Sequence, residues 1–131
     1  MNFLPKIKSL FSLAEQNTNA PSMTVRANGS QEWRVNGKLH RVDGPAYISG
    51  DYQIWYLNGE LHRTDGPAVT VSNRHLWWLN GGLHRTDGPA IIDGDCQEWY
   101  LHGEKYTFND WLKNVNATPE EKTMLRLKWA K

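Results

Sequence analysis

Residues 53–59 read QIWYLNG, and their side chains alternate. Gln53, Trp55 and Leu57 fall on one set of positions, Ile54, Tyr56 and Asn58 on the other. A period of two sends the two sets to opposite faces of a β-strand. Just upstream, PAYIS at 45–49 is a second short run, and the intervening Gly50-Asp51 suits a tight hairpin turn. Downstream, Asn58-Gly59 is expected to open a longer connection through Asp65-Gly66-Pro67, where Pro fixes φ as the next strand begins. The period changes at both ends of the chain. Phe3, Leu4, Ile7, Leu10, Phe11 and Ala14 stand at heptad spacing and predict an amphipathic helix over residues 1–16. Thr107-x-x-Asp110 reads as a helix start ahead of Trp111, Leu112 and Val115. Thr118-Pro119-Glu120-Glu121 is a stronger one, with a capping Thr, Pro at the first helical position and Glu at the third.

The strand pair recurs without a gap. Trp33, Trp55, Trp77 and Trp99 are each 22 residues apart, and Gly37, Gly59, Gly81 and Gly103 keep the same register. So do Asn36, Asn58 and Asn80, with His102 in the fourth copy. LHRVDGPA at 39–46 returns as LHRTDGPA at 61–68 and 83–90. Such periodicity is the mark of stacked units that bury surface against their neighbours. The predicted fold is mainly β: an antiparallel meander of 22-residue β-hairpin repeats with short terminal helices as caps. Its parts are an N-terminal helix at 1–16, a linker and first strand at 17–27, the repeats at 28–106 and a C-terminal helical cap at 107–131. Capping answers the need of an open array to cover its ends.

A β-hairpin unit of this length, with an aromatic residue before Asn-Gly and a Gly-containing close, resembles MORN repeats. The fuller pattern W-x-x-N-G-x-L-H-R-x-D-G-P-A is similar to repeats of proteins encoded by large tailed phages and some bacteria. The similarity spans roughly residues 28–106. The His-Arg-x-Asp segment is absent from MORN repeats, which favour Tyr-x-Gly patterns. The resemblance implies a MORN-like fold and a phage or phage-like setting, and no particular activity.

Composition narrows the function. Fifteen Lys and Arg against fourteen Asp and Glu leave +1, far from the cationic excess that phosphate binding needs. Each repeated Arg is followed two residues later by an Asp, so the row Arg41, Arg63 and Arg85 is neutralised. Nucleic acid is therefore not an expected partner. Seven Trp and five Tyr point to a thin core of large rings, with Trp55 and Trp77 on its inner face. One cysteine, Cys96, excludes an intramolecular disulfide and suits a reducing compartment. The stretch MNFLPKIKSLFSLAEQ lacks the apolar run and cleavage site of a signal peptide, and no run approaches the roughly 20 apolar residues of a membrane span. The expected location is cytoplasmic, the host cytoplasm if the chain is phage-encoded, without a membrane partner.

His and Asp at His-x-x-Asp spacing invite a metal reading, which distance opposes. Each repeat adds two strands at about 4.8 Å, so equivalent residues stand about 10 Å apart, while zinc ligands lie about 2 Å from the ion. No metal or other cofactor is expected. A nucleophilic site is asymmetric, whereas here the His recurs and no Ser or Thr recurs beside it. Cys96 occupies the slot held elsewhere by Ser30, Tyr52 and Arg74 and is expected to be inert. No phosphate loop or dinucleotide fingerprint occurs. The chain is thus read as no enzyme, and His-Arg-x-Asp as a structural lock whose Asp bonds turn amides or a neighbouring unit's Arg.

Function is expected where the repeat varies within its frame. Beside the Trp row stand Arg34, Tyr56, Trp78 and Tyr100, and in the next row Glu32, Ile54, Leu76 and Glu98. The candidate binding residues are Ile54, Tyr56, Leu76, Trp78 and Tyr100, unless a terminal helix covers them. His62, Arg63, His84 and Arg85 are candidate edge contacts. The expected function is a non-enzymatic protein-binding module, a phage-encoded accessory protein that inhibits a host protein, for instance of a defence system. The alternatives are a small-molecule-sequestering or hydrolytic protein and a lipid-associated MORN-like scaffold. Oligomeric state is not legible from the residues.

Overall fold

The computed structural model describes residues 20–131, so the helix expected over 1–16 and the start of the linker lie outside the described residues. Each Trp-centred segment folds back on the run before it. β1 (Ser22–Val25) pairs antiparallel with β2 (Gln31–Val35), and β2 pairs in turn with β3 (Lys38–Leu39) and with β4 (Tyr47–Ser49), which opens the second unit. The second unit contributes β5 (Tyr52–Ile54), β6 (Tyr56–Leu57) and β7 (Glu60–Leu61). The third contributes β8 (Val69–Val71), β9 (Arg74–Leu76), β10 (Trp78–Leu79) and β11 (Gly82–Leu83). Then come β12 (Ile91–Asp93), β13 (Cys96–Leu101) and β14 (Glu104–Tyr106). The meander runs β1-β2-β4-β5-β8-β9-β12-β13-β14 in chain order, with β3 beside β2.

The central Trp strands are more broken than their alternation predicts. At Trp55 the chain leaves its partner β8 and takes up its own hairpin arm: Ile54 pairs with Val69, Trp55 N donates to Ala68 O at 2.7 Å, and Tyr56 already faces Leu61. Trp77 marks the same bend in the third unit. The sheet therefore sheds a two-stranded ribbon at each of these repeats. Asn58-Gly59 does not open a long connection but closes this ribbon, since φ of +50° and +80° at its two central residues is the hairpin geometry that matches strand twist. The long connection starts only after Leu61. Gly50-Asp51 forms the expected two-residue turn between Ser49 and Tyr52.

Ala46, Ala68 and Ala90 are fully buried where the Trp strands cross them. An apolar core in the ordinary sense forms at one end, among Trp99, Leu101, Trp111, Leu112 and Val115. It is sealed by α1 (Phe108–Asn114) and α2 (Pro119–Trp129). Both helices start as the sequence predicts. Thr107 Oγ1 accepts from Asp110 N at 3.2 Å, and Thr118 and Glu121 form a reciprocal capping box with Pro119 at the first helical position. Among the described residues no helix is long and apolar enough to cross a membrane.

Trp99 lies between Trp111 at 4.6 Å, Phe108 at 4.8 Å and Trp129 at 5.9 Å, centroid to centroid. Trp111 is fully buried and its indole N–H donates to Arg85 O at 3.1 Å. Trp111→Ala would leave a cavity against Trp99 and strip that carbonyl of its donor, at a cost of about 3–5 kcal/mol. Urea denaturation of this variant is expected to show that loss, and a midpoint near the parent's would remove Trp111 from the core.

Candidate interaction surface and the repeated arginine lock

Trp33, Trp55 and Trp77 are only half-buried, and a cation covers each of them in place of apolar neighbours. Arg41 Cζ stands 4.1 Å from the Trp33 ring centroid, Arg63 Cζ 4.0 Å from Trp55 and Arg85 Cζ 3.8 Å from Trp77. The expectation of an apolar core behind this row holds in full only at Trp99. Arg suits the task because its guanidinium is flat, weakly hydrated and charged at any working pH.

The rest of the motif aims that plane. Arg63 Nε donates to Asp65 Oδ1 at 2.8 Å and Nη1 to Pro67 O at 3.2 Å, and the flanking repeats repeat both bonds. The Asp thus serves the Arg of its own unit, rather than a turn amide or a neighbour as the sequence suggests. The Arg63 hydrogen bond, and then its charge, hold the Asp65 carboxyl below its usual value. Gly66 leaves room for the guanidinium, since a Cβ there would lie 2.9 Å from Arg63 Cζ. The corresponding distances at Gly44 and Gly88 are 2.7 and 2.8 Å. Such contacts are closer than side-chain carbon tolerates. The motif is a lock.

Its histidine faces the next repeat. His62 Nδ1 accepts from Asn80 N at 3.0 Å, and His40 and His84 accept likewise from Asn58 N and His102 N. The proposed edge residues His62, Arg63, His84 and Arg85 are therefore all engaged in the array itself. They do line two shallow grooves, one of about 490 Å³ between the Arg63 and Arg85 loops and one of about 310 Å³ between the Arg41 and Arg63 loops. Among the described residues no three metal-ligating side chains converge.

The variable residues form a different surface. Register places Glu32, Tyr47, Ile54, Val69, Leu76, Ile91 and Glu98 on one line across seven strands. Ile54 and Leu76 are thus flanked by hairpin partners that an inspection of the Trp strands alone misses. The signal for Tyr47, Val69 and Ile91 is present in the apolar run after each Gly-Pro-Ala. Tyr56, Trp78 and Tyr100 are half-buried beside this line. On β13 the alternation puts Trp99 on the helix-covered face and Glu98 and Tyr100 on the other, where the Tyr100 hydroxyl donates to Glu98 Oε2 at 2.9 Å. Burial, and then Glu98, push the Tyr100 phenol up. Neither α1 nor α2 packs on this side. The Trp78 indole N–H is buried there and has no acceptor among the described residues.

The chain matches no family model, no curated protein and no solved structure.

The lock predicts a coupled pair of substitutions. Arg63→Lys keeps the charge but loses the flat stack and the second hydrogen bond, and is expected to lower stability by about 1–2 kcal/mol. Gly66→Ala, which drives a Cβ into Arg63, is expected to do comparable harm in the parent and much less beside Arg63→Ala. Additive losses in that double-mutant cycle would dissociate Gly66 from the guanidinium.

Proposed function

We propose that this chain is a non-enzymatic binding module whose partner, a protein, docks on the face carrying Ile54, Tyr56, Leu76, Trp78 and Tyr100. The observation that carries this reading is the line from Tyr47 to Ile91. It is apolar through its five central strands, bracketed by Glu32 and Glu98, and lies on the side away from both C-terminal helices. At about 4.8 Å per strand it extends about 19 Å. An apolar centre with a polar rim is the anatomy of a protein interface. The rim charges are already paired: Glu32 with Arg26 and Arg34, Glu98 with Lys105. They frame the patch without demanding a counter-charge from the partner.

Small-molecule binding finds less support. The grooves between the loops are open, and their cations are spent on Asp carboxylates and Pro carbonyls, which leaves few polar groups to orient a ligand. The resemblance of the repeat to those of large tailed phages supports the more specific form of the proposal, a phage accessory protein that binds and inhibits a host protein in the host cytoplasm.

Host lysate passed over the purified chain, with mass spectrometry of both protein and small-molecule fractions and cross-links mapped on the bait, tests the proposal. One protein near 1:1 stoichiometry, cross-linked around Trp78, is expected. Trp78→Ala and Ile54→Arg should each weaken it about 30-fold or more, as loss of a central anchor worth about 2 kcal/mol requires, with melting temperatures within a few degrees of the parent. A ligand recovered without protein would favour sequestration. Undiminished binding by both variants would remove this face from consideration.

A further inference from the structure

Three of the bonds that join successive repeats end on an imidazole nitrogen. Asn58 N donates to His40 Nδ1 at 2.9 Å, Asn80 N to His62 Nδ1 at 3.0 Å and His102 N to His84 Nδ1 at 3.0 Å. A backbone amide can only donate, so each Nδ1 must present a lone pair and each ring must carry its single hydrogen on Nε2. The three donors sit at φ of +50°, +49° and +50°, the left-handed region that non-glycine residues enter at a cost. Each imidazole therefore clamps the tight turn of the following unit. A second proton on the ring would set N–H against N–H and open the clamp.

We propose that these histidine–turn bonds form an acid-sensitive switch, which couples the repeats while the imidazoles are neutral and loosens every joint when they are protonated. In an array whose units touch only their neighbours, stability resides largely in such joints. Beside them, Gly59 N to Leu39 O and Arg41 N to Tyr56 O with their equivalents are backbone pairs that do not titrate, and Ser72 Oγ donates to Asp51 Oδ2 at 2.6 Å, a bond that holds this carboxyl below its usual value. Acid thus loosens the array before it unfolds it.

The carboxylates in the grooves around His62 and His84 are already paired with arginine. His84 faces His102, ring centroids 4.3 Å apart, and shares its groove with Arg63, Asp65, Arg85 and Asp87. His62 shares its groove with Arg41, Asp43, Arg63 and Asp65. Lys38 stands by Gly59 in the turn that His40 holds, and Glu60 by Gly81 in the turn that His62 holds. Burial, and then the charge of His102, hold His84 below the ordinary imidazole value. The unfolded chain then takes up a proton as pH falls through about 6.5, while folded His84 does not. Its contribution to stability is present in full above that pH and is lost as pH falls toward the lowered folded value.

The test compares the parent with a triple variant, His40→Asn, His62→Asn and His84→Asn. Asn Oδ1 can accept the same N–H at nearly the position of Nδ1 and does not titrate. Both proteins are melted at pH 7.5 and pH 5.0, above the range of ordinary carboxylates, and His75 and His102 remain in both. The parent should lose about 5 °C or more between the two pH values, and the triple variant less than half as much. Nuclear magnetic resonance titration of the parent should show the His84 ring protonating below the free-imidazole value, a readout that stands if the triple variant does not fold. Equal losses in the two proteins, no loss in the parent, or a His84 midpoint at or above the ordinary value would overturn the proposal.

Discussion

An arginine laid flat between a tryptophan ring and an Asp-Gly-Pro loop is the contact on which each central repeat depends. A single sheet has two faces and too few residues to bury both under apolar side chains, so Trp33, Trp55 and Trp77 need cover that brings its own solubility. The guanidinium provides it, stacking on the ring while its edge remains hydrogen-bonded. Magnitudes decide which part of the lock matters. The Asp partners are 76–80% exposed, and such surface pairs contribute about 0–1 kcal/mol. The Arg side chains are 12–24% exposed, and a largely desolvated cation over an indole reaches about 2 kcal/mol. The carboxylate therefore orients the arginine, and the stack stabilises the repeat. Gly44, Gly66 and Gly88 follow from the same contact, because any side chain there would lift the plane off the ring.

The fourth repeat shows what happens when the lock is given up. Thr107 stands where the Arg would be and caps α1 instead, and Trp99 receives the rings of Phe108, Trp111 and Trp129 as its cover. The substitution is chemically continuous. Trp111 and Trp129 donate their indole hydrogens to Arg85 O and Asp87 O, so the helices close on the last loop of the array. Trp129 also lies 5.6 Å from Arg85 Cζ, which makes the third arginine the most buried of the three. The array ends by replacing a cation with an apolar core at the same ring.

Much of this fold is legible in the residues because the repeat reports its own register. The 22-residue period, the Gly50-Asp51 turn and the helix starts at Thr107 and Thr118 all rest on local rules, and local rules survive into the structure. Two features depend on tertiary placement and escape such a reading. Alternation in QIWYLNG predicts one continuous strand, yet competition between β8 and the chain's own arm for the backbone around Trp55 breaks it in two. The period also identifies Arg63 and Asp65 as a pair without revealing that Trp55, eight residues upstream of the Arg, is what the pair covers. The candidate binding face is legible in part. Ile54 and Leu76 emerge from the Trp strands, but the line they belong to closes only when Tyr47, Val69 and Ile91 arrive from the opposite arm of each hairpin.

The two faces of the sheet then carry different kinds of information. On the lock face each of the first three repeats presents the same Arg, Asp, Gly and Pro, with the Arg bonded within its unit and the His to the next one. A surface so repetitive and so fully paired has little left with which to distinguish one partner from another. On the opposite face the backbone frame is equally regular, but the side chains pass from Arg34 through Tyr56 and Trp78 to Tyr100, and from Glu32 through Ile54 and Leu76 to Glu98. Specificity requires such a gradient, because a partner is selected by differences along a surface rather than by its period. Because the lock holds the sheet from one side, the other side can vary without loss of the fold. That division of labour is the physical reason to seek recognition at Trp78 and stability at Arg63.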